Sequence, residues 1–479
     1  MKKTVFKILI ALTLILVIPV TLVMTGFCLP AQYGDTYYAE IAKMYKRLKT
    51  AEGKRIIFVG NSAVAFGVRV DLVESEIPAY KAINFGVYGV VGTKYMLDLS
   101  KDNLRKDDIV VVMPEFYAQT CSLYFSALDV WRTVDGDFGM LSGVAAENRE
   151  SMVGAFPKYV AEKANYSRGD KPATEGAYAA SAFTDESGEE VGYMTYDRPY
   201  NVMSGGYDPT NLPVMDESVF GAGFIDYLND YAAYAKKNGA TVYFGFAPIN
   251  SLAASDFTDE KADALYSYLI NNLDFDVLGH PAVYKMDYHW FYDNNAHTNS
   301  SGAIAYTDIL TEDLKLVLGI EEPNAFEVPE MPEIPAYSTV NGDNRDAACF
   351  DYEVVDGATE RYIKLTGLTE EGRKKSELIL PSDYDGVPVR EFSPQVFAGN
   401  GIIAKIVLQK NVRTIYDGSF AGASRLSSLY FEHDSVIDLS VGVKFLDGAD
   451  NCYIYIKKGV STVDCAGGWE RYLNRIKYY

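Results

Sequence analysis

The chain has 479 residues, and 44 basic against 65 acidic side chains give it a formal net charge of −21. A surface this acidic repels phosphate backbones, so the composition argues against a nucleic-acid-binding role. Hydrophobic residues make up 48% of the chain, which excludes disorder throughout, and the length predicts two or three folded units. Five cysteines without a CxxC pair exclude a disulfide scaffold and a zinc-ribbon protein.

An uncharged, apolar stretch at residues 8–27 follows Lys2, Lys3 and Lys7. It is long enough to cross a hydrocarbon core of about 30 Å as a helix. We therefore expect residues 1–28 to form a cytoplasmic tip and one transmembrane anchor, with the bulk of the chain outside the cell. A cleaved signal peptide is the alternative, although Phe27 and Cys28 make a poor cleavage site.

Residues 29–52 read as a connector with an amphipathic helix, and residues 53–318 then alternate between apolar strands and amphipathic helices. This alternation predicts an α/β domain with a flavodoxin-like, three-layer parallel sheet. Residues from about 140 to 222 break the pattern and predict a long insertion. The predicted strands are 55–59, 81–84, 108–113, 241–246 and 282–286, and the predicted helices are 224–237, 259–273 and 301–318.

A linker rich in proline and glutamate at 319–340 precedes a β-rich domain at 341–479. Within that domain Phe397-Ala-Gly399 recurs 23 residues later as Phe420-Ala-Gly422. A period of this length is typical of leucine-rich repeats. We expect residues 452–456 to cap a short stack. Cys452 and Cys465 could pair or could both be reduced core residues.

The repeated unit resembles the BspA-like leucine-rich repeats of bacterial surface proteins. The resemblance implies adhesion or ligand presentation at the cell surface. An accessory module that only supports the first domain is the alternative.

The candidate chemistry lies at the carboxyl ends of the predicted strands, where open α/β sheets bind their ligands. Ser62 directly follows the first strand, among small neighbours that leave its hydroxyl approachable. A serine nucleophile needs an adjacent base. His297, just before the last helix, is the candidate base, and Asp293 could fix its tautomer. The alternative for Ser62 is a helix N-cap with no chemical role.

These residues carry a resemblance to the SGNH/GDSL hydrolase superfamily. Gly60-Asn61-Ser62 is similar to the nucleophile block, Asn84 to Gly89 to the second block, and Asp293 to His297 to the final block. The resemblance implies a serine esterase or O-acyltransferase in which the backbone N–H groups of Ser62 and Gly89 hold the oxyanion, with no metal or cofactor.

Within the superfamily, the chain resembles the membrane-anchored branch similar to DltD and alginate-acetylation proteins. It implies an acylated cell-envelope polysaccharide or other polymer as substrate, and a membrane-bound O-acyltransferase as partner.

Two positions depart from the family pattern. Glu115 stands in the turn where the third block has an asparagine, and Asn294 stands at the usual acid position of the last block. For Glu115, the alternatives are an acidic ligand of the substrate and an exposed loop residue. For the last block, either Asp293 or Asn294 orients His297. These departures favour a second hypothesis, a catalytically inactive scaffold whose repeats bind envelope polymers or host ligands.

Overall fold

The computed structural model describes residues 17, 19–168, 176–203, 206–208, 211–333, 343–436, 439–460, 468 and 470–479. Half of the apolar stretch predicted as an anchor, and Cys465, lie outside the described residues. Residues 19–28 are helical, and no helix within the described part of the chain is both long and apolar enough to cross a bilayer.

A five-stranded parallel sheet forms the centre of the first domain, in the order β2-β1-β3-β4-β6. This order is the flavodoxin-like winding, as the sequence predicts. Every residue of β3 is buried, which is typical of a parallel strand covered on both faces. In chain order the strands are β1 (Lys54–Gly60), β2 (Tyr80–Gly86), β3 (Ile109–Met113), β4 (Thr241–Phe244), β5 (Ile249–Asn250), β6 (Asp276–Val277) and β7 (Lys285–Met286).

The helices of this domain are α1 (Tyr37–Thr50), α2 (Ser62–Gly67), α3 (Val70–Glu76), α4 (Thr93–Lys101), α5 (Ala127–Val134), α6 (Arg149–Tyr166), α7 (Phe224–Lys237), α8 (Asp259–Asn272) and α9 (Ser300–Leu318). The last three of them, α7 to α9, match the three predicted helices closely. The predicted connector helix, α1, belongs to the domain itself. Its Ile41, Met44 and Leu48 are fully buried in the same hydrophobic core as the sheet.

The prediction of a sheet strand at 282–286 is wrong. Pro281–Tyr284 forms a 3₁₀ turn, because Pro281 fixes the backbone angle of its first residue and the His280 side chain accepts the Ala282 N–H at 3.4 Å. The two remaining residues form β7, which pairs with β5 outside the main sheet. The fifth strand of the sheet is β6, only two residues long.

The predicted insertion packs back onto α1. Thr36 forms an isolated antiparallel bridge with Ala179, and Arg47 binds Glu190 at 2.7 Å. The insertion therefore adds a layer to the domain, and it brings two of its side chains to the edge of the sheet described below.

The C-terminal residues form a second hydrophobic core around two mainly parallel sheets, with the orders β10-β13-β15-β17-β18 and β16-β14-β12-β9-β8. The strands are β8 (Phe350–Asp356), β9 (Arg361–Leu368), β10 (Glu377–Ile379), β11 (Asp383–Tyr384), β12 (Val387–Phe392), β13 (Lys405–Leu408), β14 (Thr414–Ile415), β15 (Ser428–Phe431), β16 (Ser440–Val441), β17 (Tyr453–Ile456) and β18 (Ile476–Tyr478).

The repeat predicted from the sequence coincides with one coil of this domain. Ile406 pairs with Leu429 across β13 and β15, and the Phe397 and Phe420 rings stack at 5.5 Å. The segment expected to cap the stack instead forms β17 inside the sheet, between β15 and β18. The stack therefore continues beyond the two copies visible in the sequence, and Cys452 is a buried residue of the additional coil.

Candidate functional site

The site lies at the carboxyl edge of the main sheet, beside the point where the strand order changes direction between β1 and β3. Ser62 is the first residue of α2 and directly follows β1 and Asn61. His297 lies in the loop before α9. Asn299 holds this loop, because its Oδ1 caps α9 by accepting the Gly302 N–H at 2.8 Å while its Nδ2 donates to the Phe291 carbonyl at 3.0 Å.

The three residues expected to converge do so. Ser62 Oγ lies 2.8 Å from His297 Nε2, and His297 Nδ1 lies 2.8 Å from Asp293 Oδ1. Ser62 is 8% exposed and His297 is 5% exposed, so the contact between them is largely shielded from water. This alignment of hydroxyl, imidazole and carboxylate is the geometry required for proton transfer from a serine nucleophile.

Asp293, rather than Asn294, orients the histidine. The Asn294 side chain accepts the Ala296 N–H at 3.0 Å, and its carbonyl accepts the His297 N–H at 3.2 Å. Asn294 therefore shapes the tight turn, which lets the residue before it reach the imidazole. The sequence left open whether Asp293 or Asn294 orients His297, and the structure places the Asp293 carboxylate beside His297 Nδ1.

Tyr178, from the insertion, is a site residue that the sequence did not indicate. Its hydroxyl donates to Asp293 Oδ2 at 2.7 Å and lies 3.3 Å from His297 Nδ1. Burial, and then the charge of Asp293, raise the pKa of Tyr178 well above its ordinary value, so the phenol remains a neutral donor. One tyrosine among the 37 of this chain, in a segment without periodicity, carries no signal of such a role.

Phe66 packs on one face of the imidazole, and Arg198 packs on Phe66. The Phe66 ring stacks on His297 with a centroid distance of 3.9 Å and an interplanar angle of 10°. The Arg198 guanidinium carbon lies 5.3 Å from the centroid of Phe66, and its nitrogens donate to the carbonyls of Thr298 and Phe66. Burial lowers the pKa of Arg198 to about 10, so it still carries its charge at neutral pH.

Glu115, which follows β3 and Pro114, points into the site instead of lying in an exposed loop. Its Oε1 accepts the Ser62 hydroxyl at 2.8 Å and the Ala63 backbone N–H at 2.7 Å. Glu115 is buried, and its own carbonyl accepts the Thr120 hydroxyl at 2.6 Å. The sequence left open whether Glu115 contacts the substrate or lies in solvent. In the structure its carboxylate is bonded to Ser62, the candidate nucleophile.

The two remaining candidates lie at the same edge. Asn61 is fully buried; its Oδ1 accepts the Thr93 hydroxyl at 2.9 Å, and its Nδ2 has no partner within the described residues. Gly89 begins a 3₁₀ turn soon after β2, and its carbonyl accepts Gln119 Nε2 at 3.1 Å.

A small cavity adjoins Glu115. Its walls include Tyr117, Ala247, Ile249 and Ala296. Ala247 and Ala296 form a buried apolar cluster with Ala63, and the Tyr117 hydroxyl is buried without a partner in the described part of the chain. The cavity beside Glu115 is therefore lined mostly by apolar residues, and its polar lining residues are Glu115, Tyr117 and Asn295.

Within the described ranges, no group of three or more His, Cys, Asp or Glu side chains is arranged to hold a metal ion. What the site contains is a hydrogen-bonded chain from a serine through a histidine to an aspartate and a tyrosine. Comparisons with protein-family models, with curated proteins and with solved structures find no significant match for this chain.

Proposed function

We propose that the first domain is a serine esterase or O-acyltransferase that acts through a Ser/His/Asp mechanism. The observation that carries this proposal is the continuous contact from Ser62 Oγ to His297 Nε2 at 2.8 Å and from His297 Nδ1 to Asp293 at 2.8 Å. A surface serine that only caps a helix has no need of a buried imidazole with its own carboxylate.

In the first half of the reaction, Ser62 Oγ attacks the carbonyl carbon of an acyl ester, and His297 Nε2 takes the hydroxyl proton. Asp293 keeps the Nδ1 proton in place and stabilises the imidazolium ion. The tetrahedral intermediate then collapses. The bond to the alcohol breaks, and the leaving alkoxide takes the proton from Nε2, which leaves an acyl group on Ser62.

In the second half, water or a hydroxyl of an acceptor sugar gives its proton to His297 Nε2 and attacks the acyl carbon. The second tetrahedral intermediate expels Ser62 Oγ, which recovers the proton. Hydrolysis and transfer differ only in this acceptor. Backbone N–H groups at the carboxyl edge, those of Ser62 and Gly89 among them, are the proposed donors to the developing oxyanion.

The substrate and location are part of the same proposal. The order of the nucleophile, glycine and histidine blocks supports assignment to the SGNH type, in the branch that modifies cell-envelope polymers. The positively flanked apolar stretch at 8–27 supports a single-pass membrane protein with its bulk outside the cell. An envelope polysaccharide is then the acyl donor or acceptor, and a membrane-bound O-acyltransferase is the partner that supplies the acyl group.

A fluorophosphonate probe tests the activity directly, because it forms a stable phosphonyl ester only with an activated serine. We expect labelling of the chain at Ser62, identified by mass spectrometry of the modified peptide. Ser62→Ala should abolish the label and His297→Ala should reduce it by orders of magnitude, while Ser187→Ala, a change in an exposed loop, should leave it unchanged.

A binding scaffold without activity is the second candidate, and the contact of Glu115 with Ser62 favours it. A negative charge beside a developing oxyanion opposes the reaction. Complete absence of Ser62 labelling, in the original chain and also after replacement of Glu115, would establish the scaffold and reject the enzyme. The repeats of the second domain would then be the surface that binds envelope polymers or host ligands.

A further inference from the structure

One carboxylate oxygen occupies a position that an acyl substrate would need. Glu115 Oε1 lies 2.7 Å from the backbone nitrogen of Ala63 and 2.8 Å from Ser62 Oγ. The N–H of the residue after a serine nucleophile is a donor that acyl-transfer enzymes can use to stabilise an oxyanion. In this chain that donor is already bonded to an acidic side chain, and the carbonyl oxygen of a substrate has to compete for it.

The same contact directs the proton of the nucleophile away from the base. The Ser62 hydroxyl carries one proton, and in its hydrogen bond with Glu115 it is the donor. The hydroxyl cannot donate to His297 at the same time, although Nε2 lies only 2.8 Å from Oγ. The proton of the serine is therefore directed towards Glu115 and away from the imidazole nitrogen that has to take it, which is the opposite of what nucleophilic attack requires.

Only the side chain of Glu115 would have to move to release both groups. Its main chain is fixed after β3, where its carbonyl accepts from Thr120 Oγ1 at 2.6 Å and from Cys121 Sγ at 3.2 Å. The side chain borders the cavity next to Tyr117 and Ala247. A rotation of this side chain away from Ser62 would free the Ala63 N–H and let the Ser62 hydroxyl turn towards His297.

We propose that Glu115 is a resident blocking carboxylate, which at rest occupies the Ala63 N–H as one donor of the oxyanion site and is displaced from it by the carbonyl oxygen of an acyl substrate. This inference rests on the proposed esterase or acyltransferase function and concerns the control of that same site. A blocking role explains why the chain has both a complete Ser/His/Asp arrangement and an acidic residue, Glu115, in the turn after β3.

The rate constant for fluorophosphonate labelling of Ser62 tests the proposal, because the phosphoryl oxygen of the probe needs the same donor as an ester carbonyl. Glu115→Ala removes the blocking group, and Glu115→Gln keeps its shape but removes its charge. We expect both variants to label at least about tenfold faster than the original chain, since a single oxyanion donor typically contributes 10² to 10³ in rate. Glu186→Ala, which removes an exposed acid of the insertion, is the matched control and should label at the original rate.

The outcomes separate the two proposals. If Ser62 labels in the original chain and both Glu115 variants label equally fast or more slowly, Glu115 is not a block, and the enzymatic proposal stands without it. If neither the original chain nor the Glu115 variants label, the proposed function itself is rejected. Thermal unfolding of Glu115→Gln, which preserves the size of the side chain, verifies that a slow rate does not come from a disrupted fold.

Discussion

The two oxygens of Asp293 are divided between two partners. Oδ1 lies 2.8 Å from His297 Nδ1, and Oδ2 accepts the Tyr178 hydroxyl at 2.7 Å. A carboxylate bound on both sides has a fixed orientation, so the imidazole that it binds is fixed as well. The insertion between β3 and β4 therefore contributes to the site through Tyr178, although in the proposed reaction its hydroxyl meets neither the substrate nor Ser62.

Replacing Tyr178 by phenylalanine should slow the reaction without changing the fold. The ring and its packing remain, but Asp293 loses one charge-assisted hydrogen bond, which typically contributes about 1.5–3 kcal/mol. We expect the labelling rate of Ser62 to fall by about 10- to 150-fold and, with an ester substrate, kcat to fall more than KM rises. Tyr124→Phe, which removes the hydroxyl of an exposed tyrosine, should have no effect. A normal rate for Tyr178→Phe would show that Asp293 keeps its orientation without the phenol.

Two single substitutions at adjacent positions test whether Asp293 or Asn294 is the hydrogen-bond partner of His297. Asp293→Asn removes the charge that stabilises the imidazolium ion and presents the wrong donor pattern to Nδ1, which in serine hydrolases reduces kcat by about 10⁴. Asn294→Asp keeps the acceptor for the Ala296 N–H and should change the rate by less than about threefold. Ester hydrolysis or probe labelling measures both. Similar losses in the two variants would contradict the assignment of Asp293.

Regular patterns made part of this architecture predictable. The period of apolar residues and the Asn238-Gly239 stop signal place a helix at 224–237, and α7 occupies those residues. The apolar run of β3 indicated a buried parallel strand. Ser62 and His297 could be predicted because each stands next to a regular element, the first after a strand and the second before a helix, so their edge of the sheet follows from the topology.

Other parts of the fold and of the site have no regular sequence pattern that would indicate them. β6 has two residues, which is too short for any periodicity, whereas the more strand-like 282–286 contains a segment turned by Pro281. Tyr178 lies in an irregular segment, and its role depends on contacts with a residue 115 positions away. For Glu115 the sequence indicated a turn at the right edge. It could not indicate the direction of the side chain, which is decided by tertiary hydrogen bonds to Ser62 and Ala63.

Gly302, in the first turn of α9, should be essential for the position of the histidine loop. A Cβ built on Gly302 would overlap the Trp290 carbonyl oxygen, which belongs to the loop that leads to His297. Gly302→Ala should therefore displace this loop, lower the free energy of unfolding by about 1–3 kcal/mol and reduce Ser62 labelling strongly. Gly154→Ala is the matched control. It lies in α6, and apart from its chain neighbours and the backbone of its own helix no atom lies within 4 Å of the added Cβ, so it should leave labelling unchanged and slightly raise stability. Equal behaviour of the two variants would show that the loop adapts to the methyl group.

A buried acid between α1 and the insertion should make the stability of the first domain depend on pH. The Glu40 side chain is fully buried, and Lys43 Nζ lies 3.1 Å from its Oε2. Burial, reinforced by the negative charge of Glu190 and only partly opposed by Lys43, raises the pKa of Glu40 to about 8 from an ordinary value of 4.5. The folded domain therefore holds a proton that the unfolded chain releases above about pH 4.5. Its contribution to stability is complete below that pH and is lost as the pH rises through 8.

Glu40→Gln should remove this dependence, because the amide remains neutral at every pH. Denaturant unfolding should give nearly equal stabilities for the variant and the original chain at pH 4.5. At pH 8.5 the variant should be the more stable one, by at most about 4–5 kcal/mol according to the size of the pKa change and by less where Lys43 compensates the charge. Glu52→Gln, at an exposed position just after α1, should follow the original chain at both pH values. A variant that gains nothing at pH 8.5 would mean that Lys43 fully neutralises the buried carboxylate, and that the contact between α1 and the insertion is insensitive to pH.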